Sequence, residues 1–481
     1  MIDTKALRSR VLDLAIQGKL TEQLAEDGTA EKLFAQIQAE KQRLIKEGKL
    51  KKEKPLPEIK PEEVPFAIPR NWKWVRLSEI CRQITDGTHK TPQYQEAGIP
   101  FLSVKNISSG VIDFTDIKHI SNAEHSELIK RCNPKRNDIL ICRIGTLGKA
   151  IVIDTDTEFS IFVSLGLIKP SSMMLPQYIV DTINSGYGVN WIQVHKAGNS
   201  MHADKINLTD LCLITIPLPP LAEQKRIVAR VEEIFRLLDT IDAAQQQYAA
   251  DAESLKAKLI TLGIQGRLTE QLASDGTAEE LYQQIQAEKQ RLIKEGKLKK
   301  EKPLPEIKPE EVPFEIPGNW KWTYLGELFQ HNTGKALNSA NTAGTLLEYI
   351  TTSNVYWDRF ELKSLKQMRF TDDEIDKCTV TKGDLLICEG GDIGRSAIWC
   401  YDYDIRIQNH LHRLRGYVSD ISAKYYYYLM WLYKATGKID GRGIGLQGFS
   451  SKRVHSLIVP LPPLSEQKRI AETLERVLGV L

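Results

Sequence analysis

No apolar run approaches the roughly 18 residues needed to cross a bilayer. The opening MIDTKALRSRVLDLAIQGKL carries a charge every few residues where a secretory leader needs an apolar centre. Neither a membrane span nor export is expected, and the chain reads as cytoplasmic. Cysteine is sparse: seven residues at irregular spacings with no CxxC pair support neither a disulfide framework nor a zinc ribbon. Cys132 and Cys142 recur in phase at Cys378 and Cys388, as buried thiols at equivalent strand positions would. A charge excess is missing too. With 65 Lys and Arg against 62 Asp and Glu, the net charge is +3, so any surface for nucleic acid has to be a local patch.

Catalytic signatures are absent as well. GTLGK at 145–149 lacks the four-residue spacing of a phosphate loop and precedes Ala150, not the Ser or Thr a metal needs, so it reads as a strand-to-strand turn. GGDIGRS at 390–396 occupies the same place in the second half. There is no Asn-Pro-Pro-aromatic or Asp-Pro-Pro-aromatic tetrad and no glycine-rich adenosylmethionine loop after an opening strand. His410 and His412 alternate on one strand face with no carboxylate at metal spacing, so no metal is expected. No catalytic residue and no cofactor is assigned to this chain.

What the sequence does have is repetition. Residues 17–74 return at 265–322 with seven changes in 58 positions, and ITIPLPPLAEQKRI at 214–227 returns as LIVPLPPLSEQKRI at 457–470. This period is far longer than that of a solenoid. The stretches between, 75–213 and 323–456, align only at scattered points. Near-identical flanks can bind one partner twice, while divergent inserts have to meet different ligands.

Residues 221–262 contain no proline and carry a heptad seam: Ile227, Val231, Ile234, Leu238, Ile241, Gln245, Tyr248, Ala252, Leu255, Leu259 and Leu262. About 42 residues at 1.5 Å each give a rod of roughly 60 Å. Such a rod needs an antiparallel partner, expected in the next helix. That helix opens with Thr277 as cap and Glu280 three residues on, and ends near Gly296. Thr29 repeats the cap, but Lys32 replaces the glutamate, so the first copy should start less firmly. Ile470, Leu474, Val477 and Leu481 repeat the start of the seam, and Leu7, Val11 and Leu14 repeat its end. The two termini therefore read as halves of one further rod, shorter than the first.

KEGKLKKEKPLPEIKPEEVPF at 46–66 and 294–314 reads as an extended surface connector. Its Lys49, Lys51 and Lys52, matched by Lys297, Lys299 and Lys300, are of a kind that can touch phosphate, but the acidic residues that follow at once favour a solvated face. The inserts read as mixed α/β domains, with strands in DILICRIG and DLLICEGG, helices in PQYIVDTINSG and SAKYYYYLMWLYKATG, and proline straps that cannot be central strands.

The doubled PLPPLxEQKRI signature, each copy leading into a heptad helix, closely resembles the specificity subunit of Type I restriction-modification systems, over the whole chain. The resemblance implies α/β heads on a long helical scaffold: two target-recognition domains separated by antiparallel coiled-coil helices, with pseudo-twofold duplication. The expected division is 1–54, an N-terminal helical region; 55–220, the first recognition domain with its connector; 221–302, a central coiled coil; 303–463, the second domain with its connector; and 464–481, a helix pairing with the N-terminal one. It implies a non-catalytic subunit that binds a split, asymmetric target in double-stranded DNA and docks two methyltransferase subunits, optionally with two restriction/translocase subunits. Adenosylmethionine, ATP and magnesium would come with those partners, and no membrane is involved. The reading left open beside it is a coiled-coil adaptor that binds proteins without DNA specificity.

Base edges are read by Arg or Lys at guanine, by Asn or Gln at adenine, and by apolar contact with the thymine methyl. Polar loops equivalent in phase therefore hold the candidates. The first loop offers Lys90, Thr91, Gln93 and Tyr94, against Lys335, Asn338 and Asn341. The second offers Lys105 and Asn106, against Asn354 and Tyr356. The glycine turn offers Arg143 and Lys149, against Arg395. The last loop offers Asn199, His202 and Lys205, against Arg442, Gln447, Ser450 and Lys452.

Overall fold

The structure is a computed structural model that describes residues 1–480 apart from 53, 199–203, 338–342 and 440–447. It divides into two compact units, Met1–Gln246 and Gln247–Leu481.

The first unit opens with helices α1 (Thr4–Ile16) and α2 (Ala30–Lys46), then strand β1 (Lys73–Arg76). Its head continues through β2 (Cys81–Asp86), β3 (Ile99–Leu102), β4 (Lys118–Ile120), α3 (Asn122–Leu128), β5 (Ile139–Cys142), β6 (Ala150–Val152), β7 (Ser160–Ile161) and β8 (Leu165–Pro170). Helices α4 (Pro176–Asn184), α5 (Gly186–His195) and α6 (Leu208–Leu213) follow, and β9 (Thr215–Leu218) leads into α7 (Leu221–Ile264). The strands form an antiparallel sheet ordered β2-β8-β5-β6, a smaller sheet β4-β3-β7 in which β3 and β7 run parallel, and a two-stranded β1-β9 ribbon.

The second unit repeats the plan. Helix α8 (Ala278–Lys294), β10 (Lys321–Tyr324) and α9 (Leu325–Leu328) lead to β11 (Phe329–Thr333), β12 (Thr345–Ile350), the hairpin β13 (Val355–Tyr356) and β14 (Arg359–Phe360), and β15 (Lys366–Phe370). Then come α10 (Asp372–Cys378), β16 (Thr379–Val380), β17 (Leu385–Cys388), β18 (Ser396–Ile398), β19 (Ile405–Ile407), β20 (Leu411–Gly416), α11 (Ala423–Ala435), α12 (Ser451–His455), β21 (Ile458–Leu461) and α13 (Leu464–Leu478). The sheets β11-β20-β17-β18 and β15-β12-β19-β16 and the ribbon β10-β21 match those of the first unit, with one strand added.

The run ILIC is continuously apolar because both faces of β5 are covered. Ile139 and Ile141 enter a core shared with the helices, and Leu140 and Cys142 enter a second core under the small sheet. In β17 the split is the same, Leu385 and Ile387 on one side, Leu386 and Cys388 on the other. Burial pushes the thiols of Cys132 and Cys142 up to about 12 and that of Cys388 to about 11, so they stay protonated. The proline straps are not central strands, as expected, but neither are they unpaired: each is half of a two-stranded ribbon, with Pro217 opposite Trp74 and Pro460 opposite Trp322.

The repeated signature is a structural lock. The Trp72 indole donates to Glu223 (2.8 Å) and that of Trp320 to Glu466 (2.8 Å), and both carboxylates are fully buried. Burial lifts both carboxyls above their ordinary range. Next in sequence, Gln224 accepts from the amide of Leu175, the cap of α4, and donates to the Pro219 carbonyl. Gln467 does the same with Ser422 and Pro462. Arg226 grips Asp27 (2.5 Å) and Arg469 grips Asp275 (2.6 Å), which holds both aspartates below the usual carboxylate range. One turn of helix thus fastens the strap, a head helix and the segment before α2 or α8 together.

The partner of the long helix differs from the sequence expectation. α1 lies along the first part of α7, where Arg8 reaches Asp239 (2.7 Å) and Asp242 (3.1 Å). α13 lies along its last part, where a Cβ on Gly263 would stand 3.1 Å from Ile470 and Leu474. α8 packs instead on the base of its own head, Gln286 and Lys289 donating to the carbonyls of Glu327 and Gly326. α2 does likewise at Glu79 and Ser78. The reason is where its stripe is used: Ala278, Leu281 and Ile285 of α8 are buried in the core of their own head with Leu325 and Leu328, which leaves no apolar face for the seam. The middle of the seam stays exposed, with Tyr248 at 59% and Leu255 at 43%.

Thr277 and Glu280 form the reciprocal cap, 2.9 and 3.3 Å, whereas Thr29 makes only one bond, to Lys32 N at 3.4 Å. Lys32→Glu should complete the box and stabilise the first unit by roughly 0.5 kcal/mol, read as a small rise in its unfolding midpoint. The connectors are irregular apart from short turns at Pro61–Glu63 and Pro309–Glu311, and the six lysines noted above are exposed. No helix among the described residues is long and apolar enough to cross a membrane.

Candidate nucleic-acid interface

The loop after β2 begins at a glycine that nothing else can replace. A Cβ on Gly87 would lie 2.1 Å from the Ile161 carbonyl oxygen, and one on its counterpart Gly334 2.0 Å from that of Ile407. Just before Gly87, the buried Asp86 receives the guanidinium groups of Arg131 and Arg143 and the ring of His89 (3.0 Å). Lys90, Thr91, Gln93 and Tyr94 beyond it are exposed, and Lys118 lies 6.0 Å from the Tyr94 ring centre. In the second head Lys335 is not available in the same way. Its ammonium binds Glu374 (2.5 Å) and the Arg369 carbonyl (2.8 Å). Asn338 and Asn341 lie outside the described residues.

The two asparagines of the next loop build that loop. Asn106 is 4% exposed; its Oδ1 accepts from Ser103 N and its Nδ2 donates to the carbonyls of Asp113 and Asp116. Asn354 repeats this with Thr351 N and the Glu361 carbonyl, so neither amide has a full base-reading edge to offer. Lys105 pairs with Asp116 at the surface (2.8 Å). Tyr356 is exposed, and both Arg359 and Arg395 approach its ring.

At the glycine turn, Arg143 is 7% exposed. Its Nε donates to the Ile206 carbonyl (3.1 Å) and its Nη1 to Asp86, so the expectation of a base reader meets an arginine already spent inside the head. Lys149 is half-buried and passes 3.3 Å from where a Cβ on Gly110 would stand. Arg395, its counterpart, donates to the Thr352 carbonyl (2.7 Å). In the last loop Lys205, Ser450 and Lys452 are exposed, while Asn199, His202, Arg442 and Gln447 lie outside the described residues.

These loops converge within each head. Asp86 ties the first to the glycine turn, Val104 stands 3.7 Å from a Cβ on Gly145, and Ile206 N donates to the Arg143 carbonyl. Phe449 N donates to the Glu389 carbonyl in the same way in the second head. Through these bonds Arg143 corresponds to Glu389 and Asp86 to Thr333, so the two sites differ in charge at their root. One carboxylate absent from the sequence reading is present: Glu389 lies 3.6 Å from His410. His412 hydrogen-bonds His331 (2.9 Å) and the Phe449 carbonyl (2.6 Å), and burial drives His331 down to about 3, so that pair is neutral. No group of three metal-ligating side chains occurs among the described residues.

Residues 69–247 and 317–479 each match the Type I restriction modification DNA specificity domain. The chain belongs to that family. The Type I restriction enzyme EcoAI specificity subunit of Escherichia coli is 27% identical to it over 98% of this chain and 89% of its own length. The EcoEI specificity subunit, also from Escherichia coli, is 27% identical over 98% and 88%. The fold is shared with a chain solved in a study of type I R-M complex assembly and conformational transition, with a TM-score of 0.62 at 18% identity over 86% of this chain and 92% of that one. It is shared too with the HsdS subunit from Thermoanaerobacter tengcongensis, with a TM-score of 0.53 at 19% identity over 87% and 92%. This specificity subunit carries one DNA specificity domain in each of its two units.

Proposed function

We propose that the two heads each read one half of a split, asymmetric target in double-stranded DNA, and that the duplicated scaffold seats two methyltransferase subunits, with two restriction/translocase subunits as optional partners, in the cytoplasm. Adenosylmethionine, ATP and magnesium enter with those partners. One observation carries this reading: the scaffold contacts recur residue for residue, as at Trp72–Glu223 and Trp320–Glu466, while the site roots differ, Asp86 and Arg143 in one head against Thr333 and Glu389 in the other. Equal seats suit equal partners, and unlike loops suit unlike sequences.

Mapping modified adenines in a host that expresses the chain with its methyltransferase should return two unlike half-sites separated by a constant unread gap. A single continuous motif would overturn the proposal. If α7 sets the gap, four residues inserted at Gln245 add roughly 6 Å, and the gap should grow by about one or two base pairs; a constant gap in the variant removes the ruler. The protein-adaptor reading predicts no salt-sensitive affinity for duplex DNA, whereas phosphate contacts make affinity fall steeply with salt.

A further inference from the structure

The hairpin of the second head has no counterpart among the strands of the first. Its two-residue loop is Trp357-Asp358, with Asp358 in the left-handed region at φ 57°, and the pairing register puts Tyr356 directly opposite Arg359. Cross-strand neighbours share a face, and the Arg359 guanidinium accordingly sits 4.9 Å from the centre of the Tyr356 ring. From the glycine turn Arg395 reaches the same ring at 5.1 Å. The hairpin is fixed at both ends: Val355 is fully buried at its base, and at its turn Lys424 pairs with Asp358 (3.0 Å) and the Trp357 ring packs 6.0 Å from that of Tyr427. One face of it is open, with Tyr356 37% exposed and Arg359 exposed.

The charge here is uncompensated. Among the described residues no carboxylate lies within ion-pair distance of Arg359 or Arg395; Asp358, beside Arg359 in sequence, pairs with Lys424, and Asp392, just before Arg395, pairs with Lys434. The Arg395 Nε is buried without a partner. Arg395 donates to the Thr352 carbonyl (2.7 Å), whereas Arg359 makes no side-chain hydrogen bond among the described residues, so its donors suit an acceptor-rich ligand. An arginine held over the tyrosine ring can present its paired donors to the O6 and N7 acceptors of guanine.

We infer that Arg359 reads a guanine for the second head, oriented by the Tyr356 ring, with Arg395 as the positioning residue behind it. The inference rests on the DNA reading proposed above. The first head lacks the device: Ser108 stands where Tyr356 does, two residues after the loop asparagine, and Lys149 replaces Arg395. The signature should therefore appear in one half-site alone.

The test is selection of bound duplexes from a randomised DNA library by the full chain, followed by sequencing, for wild type, Arg359→Ala and Arg359→Lys. Circular dichroism confirms that each variant is folded. Arg359→Ala should lose the guanine preference at one position of one half-site, with affinity for the selected site falling about ten- to a hundredfold and the other half-site unchanged. Arg359→Lys keeps the charge but not the planar fork and should lose the same preference. A lysine variant that selects as wild type does, or an alanine variant weakened equally on all sequences with a shallower salt dependence, would make Arg359 a phosphate contact and overturn the inference. An alanine variant indistinguishable from wild type would also overturn it and leave the DNA reading intact. A wild-type chain that selects no motif would instead bring down the DNA reading and this inference with it.

Discussion

Arg143→Ala should destabilise the first head by about 3 kcal/mol, an effect far larger than the loss of one surface contact. The Arg143 and Asp86 side chains are 9% and 2% exposed, and the guanidinium also satisfies the Ile206 carbonyl. Removing it leaves a buried carboxylate supported only by Arg131, 55% exposed, and His89, 65% exposed. Those survivors place the effect at the lower end of the range for breaking a buried pair. The second head manages with Thr333 at the position of Asp86, which supplies the control. In an Asp86→Thr background the arginine has no buried partner, so Arg143→Ala should cost much less, and the cycle measures the pair directly. Amide exchange at Ile141 and Leu167, in the two strands flanking Arg143, is the local readout. Exchange unchanged in the single variant would show that the pair holds nothing, and would return Arg143 to the list of base readers.

Arg143 also shows where sequence reading stops. An arginine beside a glycine turn looks the same on paper whether it faces solvent or an aspartate 57 residues earlier. Periodicity exposes faces, and so the buried run in β5, the strap, the capping threonines and the seam of α7 were all legible, because each is written in consecutive residues. Partner choice is not written that way. The stripe of α8 has the right type and spacing, yet α1 and α13 take the places along α7, since only tertiary packing decides which surface each stripe meets.

Within the candidate site the same limit applies to polar groups. Asn106 and Asn354 are amides of the kind that reads adenine, and both are consumed by backbone groups of their own loops. Lys335, a base-reading candidate from its loop, is held by Glu374, 39 residues away. Arg359 lies in the same segment as Tyr356. The signal was there: VY and RF flank WD, a two-residue turn whose aspartate tolerates positive φ, and that register alone puts arginine across from tyrosine.

Asp181→Asn should stabilise the first unit by about 4 kcal/mol at pH 8 and by only about 2 at pH 5. The carboxyl lies on the buried face of α4; Gln177 donates to one oxygen (2.8 Å), and the other has no partner. Burial, with Glu232 adding to it, lifts this acid from 3.8 to about 7. The folded chain therefore holds the proton more tightly than the open chain does. Stability from this group is fully present below about pH 4, declines as the pH rises toward 7, and is constant at its lowest level above that. Asparagine keeps the bond to Gln177 and removes the titration, so the difference between variant and wild type, read from urea unfolding at several pH values, isolates this one group. A difference that stays level from pH 5 to 8 would mean that the carboxyl ionises in place as easily as in water. The duplication again supplies the reference. Gln224 and Gln467 bind the caps of the two head helices, Leu175 and Ser422, which puts Tyr428 at the position of Asp181. Burial pushes the Tyr428 hydroxyl up to about 12, so nothing there ionises between pH 5 and 8, and over that range the first unit should lose stability from this position that the second keeps.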